Sequence, residues 1–244
     1  MTALLCLHGF TGSPKSWDFL CDSVETRFVP ALVGHAGSAA GDDVTSFERE
    51  VDRLAALTEG RGALHVVGYS LGARLGLGLA VRHPARVARL TLVSAHPGLD
   101  SDAERAGRRS SDAAWCELLR AQGLAAFVTA WEAQPLWATQ MRLPAAARAQ
   151  KRSERSSHTA RGLCRSLEAT GLAQMPNFRP GLAEIRAPTD VIAGALDQKF
   201  SDLARILAGS LTRARLSIVP DAGHDLLLER PDFITEVIRR GDQT

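Results

Sequence analysis

The chain has 244 residues, 45% of them hydrophobic, which is the length of one α/β domain with room for an insertion and enough apolar material for a full core. A formal net charge of +2 excludes the strongly basic surface of a nucleic-acid or anionic-membrane binder. No apolar run approaches the roughly 20 residues that span a bilayer. Only Lys15, Lys151 and Lys199 are lysines, so the positive charge is almost all arginine, a bias that high genomic GC explains. The cysteines Cys6, Cys21, Cys116 and Cys164 show no C-x-x-C and no metal spacing, and Cys6 reads as a small core residue of a strand. The first apolar stretch runs straight into His8-Gly9, so no signal peptide is evident; reduced thiols and the cytoplasm are the expectation.

In chain order, residues 3–7 predict a short buried strand, followed by the glycine-rich turn His8-Gly9-Phe10-Thr11-Gly12-Ser13 and a helix start at Ser16-Trp17 running to Leu20. Residues 27–33 predict a second strand ending in Gly34-His35-Ala36-Gly37-Ser38. Phe47, Val51, Leu54 and Leu57 have helical spacing within a helix over 44–57. The β-branched run 64–67 leads into Gly68-Tyr69-Ser70-Leu71-Gly72, and an Ala/Leu/Gly-rich helix leads out of it towards His83-Pro84. Residues 87–93 predict a fourth strand, 188–195 a fifth, 214–219 a sixth, and 233–239 a closing helix. Strands separated by helical patterns imply right-handed βαβ units: an α/β fold with a mostly parallel, doubly wound sheet. Residues 100–180 break this rhythm, being rich in Ala and Arg, without a convincing strand, and holding three of the four tryptophans. They predict a helical cap inserted after the fourth visible strand, with residues 1–99 and 181–244 forming the core.

Active sites of such sheets form at the carboxyl ends of the strands. Gly68-x-Ser70-x-Gly72 between strand and helix is the context of a nucleophile elbow, where small residues allow close strand–helix approach around a strained serine. A serine hydroxyl reacts only when a histidine accepts its proton and an acid orients that histidine. Asp197 just beyond the fifth strand and His224 in the loop after the sixth complete the order Ser, Asp, His. Asp221 and Asp225 lie too near His224 in sequence to orient it, and Asp190 sits at the wrong strand end. His8, His35, His65, His83 and His158 read as structural or surface residues. The amides of Leu71 and Phe10 are the candidate oxyanion donors.

Leu7-His8-Gly9-Phe10-Thr11-Gly12, Gly34-His35-Ala36-Gly37-Ser38, the elbow, Gly194-Ala195-Leu196-Asp197 and Ala222-Gly223-His224 resemble the α/β-hydrolase superfamily. More specific likenesses are His96-Pro97-Gly98-Leu99, Arg105-x-x-Arg108-x-x-Ser111-Asp112-x-x-Trp115, Ala130-Trp131-Glu132-Ala133-Gln134-Pro135-Leu136-Trp137, Leu167-Glu168-Ala169-Thr170 and Leu196-Asp197-Gln198-Lys199-Phe200. Over nearly the whole chain these resemble the 2-succinyl-6-hydroxy-2,4-cyclohexadiene-1-carboxylate (SHCHC) synthase family of menaquinone biosynthesis. The resemblance implies a lyase on a hydrolase scaffold. Its triad serine would act as a base, removing a ring proton of 2-succinyl-5-enolpyruvyl-6-hydroxy-3-cyclohexene-1-carboxylate so that pyruvate leaves. It implies a polycarboxylate substrate bound by Arg74, Arg108 and Arg155, with pocket aromatics Tyr69, Trp131 and Trp137. Ala73 departs from the family's usual second glycine. A tricarboxylate predicts three unpaired arginines converging on one pocket. No metal, flavin or nucleotide motif is present, so no cofactor is expected; nor is a nucleic-acid or membrane partner, and the chain reads as a monomer or small homo-oligomer. The runner-up is a small carboxylesterase or C–C bond hydrolase with the same triad, which would not need the three arginines together.

Overall fold

Six parallel strands carry the molecule in the computed structural model, which describes residues 3–20 and 27–241. They are β1 (Leu4–Leu7), β2 (Arg27–Phe28), β3 (Leu64–Tyr69), β4 (Val87–Val93), β5 (Thr189–Gly194) and β6 (Ala214–Val219), in the spatial order β2-β1-β3-β4-β5-β6. The chain winds outward from β1 to β2 and then reverses across β1 to β3. The point of reversal therefore lies between β1 and β3, whose carboxyl ends carry Phe10 and Ser70. Strands β1, β3 and β5 are buried along their whole length, as a sheet covered on both faces requires.

The second strand is shorter than the apolar run 27–33 predicts, stopping at Phe28. Pro30 has no N–H to give to a ladder. Beyond it the backbone bonds to side chains instead: Leu32 N–H donates to His8 Nε2 at 3.1 Å and Val33 N–H to Glu50 Oε1 at 2.9 Å. The first long helix, α1 (Phe47–Leu57), begins three residues later than its apolar pattern. Ser46 is extended and accepts from the Arg49 amide, making it the N-cap. Helix α2 (Leu71–Arg82) is buried from Leu71 through Ala80 between sheet and surface helices. Cys21 lies outside the described residues; Cys6, Cys116 and Cys164 are free and buried.

Between β4 and β5 the chain forms α3 (Asp102–Glu132), a 3-10 segment (Pro135–Arg142), α4 (Ala145–Arg155) and α5 (Ala160–Thr170). Helix α3 opens on a capping box in which Ser101 and Glu104 satisfy each other's backbone. It breaks at Gly123, whose φ of +79° leaves the helical region. These helices share an apolar cluster of their own, including Phe127, Trp131, Trp137, Leu163 and Leu167, against which Phe10 of the core packs. Polar contacts tie them down as well. Glu154 accepts from the Ser13 amide (2.9 Å) and from the Ser13 and Ser16 hydroxyls (2.7 Å each). The chain closes with α6 (Gln198–Ser210), α7 (Leu226–Glu229) and α8 (Pro231–Gly241). Among the described residues no helix is long and apolar enough to cross a membrane.

Candidate active site

Ser70 stands alone between β3 and α2 with φ 51° and ψ −106°, a conformation side chains rarely adopt. The packing on either side holds it there. A Cβ on Gly72 would lie 2.0 Å from the Leu7 carbonyl oxygen, and one on Gly68 would lie 2.3 Å from the Gly72 oxygen, so strand and helix touch backbone to backbone. The Ser70 amide donates to Val93 O at 2.9 Å, which anchors the turn to β4.

The turn aims the serine hydroxyl at His224, with Oγ 3.1 Å from Nε2, and His224 Nδ1 lies 2.7 Å from Asp197 Oδ2. An ionised carboxylate only accepts, so Nδ1 carries the proton and Nε2 offers its lone pair to Ser70. Asp197 is itself fixed as the N-cap of α6, where Oδ1 accepts from the Phe200 amide at 3.3 Å. His224 is 2% exposed, and its carbonyl accepts from Ser94 Oγ at 2.8 Å. Asp225 turns away from the histidine ring to Lys151 (3.3 Å) and Gln140 (3.4 Å). Asp190 pairs with Arg89 at the far end of β5.

Ser70 and His224 open onto a cavity of about 310 Å³ between the strand ends and the inserted helices, with Asp197 behind the histidine. Phe10, Tyr69, Trp131 and Trp137 all line it. Trp131 stacks on Phe127 at 5.5 Å and meets Phe10 edge-on at 5.2 Å, while Trp137 and Tyr69 each lie 5.6 Å from the His224 ring. Phe10 and Leu71, whose amides are the oxyanion candidates, are both wall residues. Leu71 is the first residue of α2, where the N–H has no partner four residues back.

The arginines are placed unequally. Arg74 and Arg108 line the cavity; Arg155 does not. Arg74 is buried, donates from Nη1 to Thr170 O at 2.9 Å, and has no carboxylate partner among the described residues. Burial, and then the neighbouring charge of Arg108, push its pKa down to about 9, which still leaves it cationic at neutral pH. Arg108 gives its Nε to Asp112 at 2.8 Å. Arg155 is 2% exposed behind Trp137, its guanidinium 5.0 Å from that ring. It bonds Glu132 Oε1 at 2.9 Å and Gln140 Oε1 at 3.2 Å. The expected convergence of three unpaired guanidinium groups is thereby corrected: one is unpaired, one is shared with a carboxylate, and one is committed outside the cavity.

Other wall residues have no counterpart among the sequence candidates: Ser94, His96, Trp115, Lys199 and Phe200. Ser94 and His96 follow β4, Lys199 and Phe200 follow Asp197, and Trp115 lies in α3; all but Ser94 fall within the runs quoted above, where none of them is given a role. His8, His35 and His158 spend their ring nitrogens on backbone. His8 bonds Gly9 O and the Leu32 amide, His35 bonds Val33 O and the Thr11 amide, and His158 bonds Thr11 O and the Ala36 amide. His65 meets Thr91 within the sheet and His83 pairs with Asp52 at the surface. Among the described residues no group of three or more His, Cys, Asp or Glu is arranged to hold a metal ion.

A sequence profile of the alpha/beta hydrolase fold matches residues 2–231. A provisionally assigned 2-succinyl-6-hydroxy-2,4-cyclohexadiene-1-carboxylate synthase of Bacillus subtilis (strain 168) is 35% identical over 97% of this chain and 88% of its own length. The enzyme of that name from Enterobacter sp. (strain 638) is 32% identical over 93% of this chain and 86% of its own. The solved structure of MenH from S. aureus superposes with a TM-score of 0.95 at 27% identity, covering 100% of this chain and 95% of that one. A malate-bound thermophilic esterase from Thermogutta terrifontis shares the fold at a TM-score of 0.84 and 23% identity, covering 100% and 90% of the two chains. The chain belongs to the α/β-hydrolase fold family and, within it, to the family of the 2-succinyl-6-hydroxy-2,4-cyclohexadiene-1-carboxylate synthases.

Proposed function

We propose that this protein is a carbon–oxygen lyase that eliminates pyruvate from 2-succinyl-5-enolpyruvyl-6-hydroxy-3-cyclohexene-1-carboxylate, giving SHCHC for menaquinone biosynthesis. The observation that carries the reading is the union of a Ser–His–Asp relay with a buried, carboxylate-free arginine on the wall of one cavity. A neutral ester has no use for Arg74. A polycarboxylate does, because its charge replaces the missing counter-ion.

In this mechanism Ser70 Oγ takes the ring proton next to the succinyl ketone as its own proton passes to His224 Nε2. Asp197 stabilises the imidazolium that forms. The electron pair left on the ring moves through the adjacent C=C, and the C–O bond to the enolpyruvyl group breaks. The proton returns from His224 as the released enolate becomes pyruvate. Charge that develops on the ketone oxygen meets the amides of Phe10 and Leu71. Arg74 and Arg108 bind substrate carboxylates, and Tyr69, Trp131 and Trp137 enclose the ring. Arg155 holds Trp137 in place through its cation–π contact, with its charge neutralised by Glu132. Residues 100–180 serve as the cap, and the protein works in the cytoplasm as a monomer or small homo-oligomer with no nucleic-acid or membrane partner.

The test is to supply the cyclohexene substrate to purified protein and follow pyruvate and the ring diene together. Stoichiometric appearance of both, abolished in Ser70→Ala, is the expected result. Absence of both alongside brisk hydrolysis of simple carboxylic esters would overturn the lyase in favour of an esterase.

A further inference from the structure

The proposed substrate has three carboxylates, yet among the described residues two arginines line the cavity, since Arg155 is held by Glu132 and Gln140. A third cation does line it. Lys199, the second residue of α6, forms no ion pair among the described residues, and its ammonium lies 5.9 Å from the centre of the Phe200 ring. The same ring is 4.4 Å from the His224 ring and 6.5 Å from the His96 ring. One phenyl group thus has the unpaired ammonium, the catalytic histidine and a second histidine along its border.

His96, just past the end of β4, is 6% exposed and lines the cavity. The Gly98 amide donates to its Nδ1 at 3.1 Å, so Nδ1 carries no proton and a neutral ring bears its hydrogen on Nε2. Burial first, and then the charges of Arg74, Lys199, Arg179 and Arg108, keep the ring neutral by lowering its pKa to about 3. The positive charges acting on His96 include every cation of the cavity wall, so an anion seated beside it meets a concentrated positive field. A neutral N–H donor locked in one tautomer needs no counter-ion when the site is empty. The lysine supplies the charge on a flexible stem at the exposed rim.

We propose that Lys199 and His96 form a carboxylate subsite next to the catalytic serine, completing with Arg74 and Arg108 a three-point receptor for a tricarboxylate. The inference rests on the polycarboxylate reading given above. Lys199 supplies charge, and His96 supplies direction by presenting Nε2–H to one carboxylate oxygen. Lysine rather than arginine at the rim also suits turnover, since a single rotatable ammonium releases its carboxylate more readily than a bidentate fork.

The experiment compares wild type with Lys199→Met, Lys199→Arg and His96→Leu. Affinity for benzene-1,2,4-tricarboxylate is read from quenching of tryptophan fluorescence at low and high salt, and kcat and KM are read from pyruvate release. We expect Lys199→Met to weaken tricarboxylate binding roughly 10- to 100-fold. Its salt dependence should also flatten, and KM should rise more than kcat falls. Lys199→Arg should recover most of the affinity, a rescue that a purely structural role would not show. His96→Leu should weaken binding while keeping the salt dependence. Wild-type pyruvate release with tricarboxylate affinity in Lys199→Met within twofold of wild type would overturn this subsite and leave the lyase standing. Lys199-dependent tricarboxylate binding without any pyruvate release would overturn the lyase and leave the subsite. Wild-type protein that does not bind the probe at all would count against both.

Discussion

Replacing Arg74 with Met should make the protein more stable and much less active. In the free protein Arg74 is a buried cation whose side chain has one direct partner among the described residues, the Thr170 carbonyl, and burial plus Arg108 lower its pKa from 12.5 to about 9. At about 1.4 kcal/mol per tenfold change in the proton equilibrium, the charged state is disfavoured by on the order of 5 kcal/mol. Methionine fills similar volume without charge, and against that relief stands the loss of the Thr170 hydrogen bond, about 1–3 kcal/mol. A net gain of about 2–4 kcal/mol would raise Tm by roughly 4–16 °C for a chain of this size, at roughly 2–4 °C per kcal/mol. The substrate complex behaves oppositely, because a carboxylate left without its guanidinium in a desolvated site costs about 2–5 kcal/mol. That corresponds to a loss of roughly 30- to 5,000-fold in kcat/KM. Calorimetry gives the first quantity, and pyruvate release coupled to NADH oxidation the second. Nitrophenyl acetate, which presents no carboxylate, should lose far less. A variant that melts lower than wild type and turns over the polycarboxylate normally would refute the placement of Arg74 as a cation waiting for an anion.

Ser70→Ala, Asp197→Asn and His224→Ala should each lower kcat by about 10³-fold or more while the far-UV spectrum is retained, and the double variants should be little worse than the worst single. Near-native turnover in folded His224→Ala would dismantle the triad. Acid should destabilise the fold. Burial lowers the pKa of His8 to about 4 and of His65 and His96 to about 3, all below the ordinary 6.5. Between those limits the unfolded chain binds protons that the folded one does not, so stability is full above pH 6.5 and falls as pH drops towards 4. Three such groups give a slope of up to about 4 kcal/mol per pH unit, and a urea midpoint unchanged between pH 7.5 and 5 would contradict their burial as neutral rings. Gly72→Ala should cost more than about 3 kcal/mol, since its Cβ would fall 2.0 Å from the Leu7 oxygen and both neighbours are backbone. A thermal midpoint within a degree or two of wild type would show that β1 and α2 can separate.

The strands were legible wherever their signal was local. Residues 87–93 and 214–219 form strands with the limits that the apolar runs indicate, because neither run contains a breaker and both lie in the sheet. The run 27–33 reads the same way by hydrophobicity, yet it pairs for only two residues. What ends it is Pro30 together with two acceptors, His8 and Glu50, that reach it from other parts of the chain. The late start of α1 has a local cause, Ser46, which the apolar periodicity of the following residues outweighed. The break of α3 at Gly123 was equally local and equally hidden, since one glycine in an Ala-rich helix ordinarily costs only about 1 kcal/mol and passes as tolerated.

At the site, the order Ser70, Asp197, His224 could be read because each member follows a strand, and a parallel sheet carries all strand ends to one edge. The cation set could not be read so well, for a reason that lies in the partners rather than in the arginines. Arg74 and Arg155 are both cationic and both buried; they differ in what the fold brings beside them. Arg155 meets Glu132, 23 residues away on another helix, and the bond neutralises it. Arg74 meets a backbone carbonyl 96 residues away and keeps its charge. Neither partner is visible from the residues that flank the arginine. Lys199 and His96 were overlooked for the converse reason. Each lies inside a run that the sequence singles out without giving it a role, and the packing of both around Phe200 places a lysine and a neutral histidine on one wall. Motif position thus located which residues could carry charge into this fold, and tertiary pairing decided which of those charges stay available to a ligand.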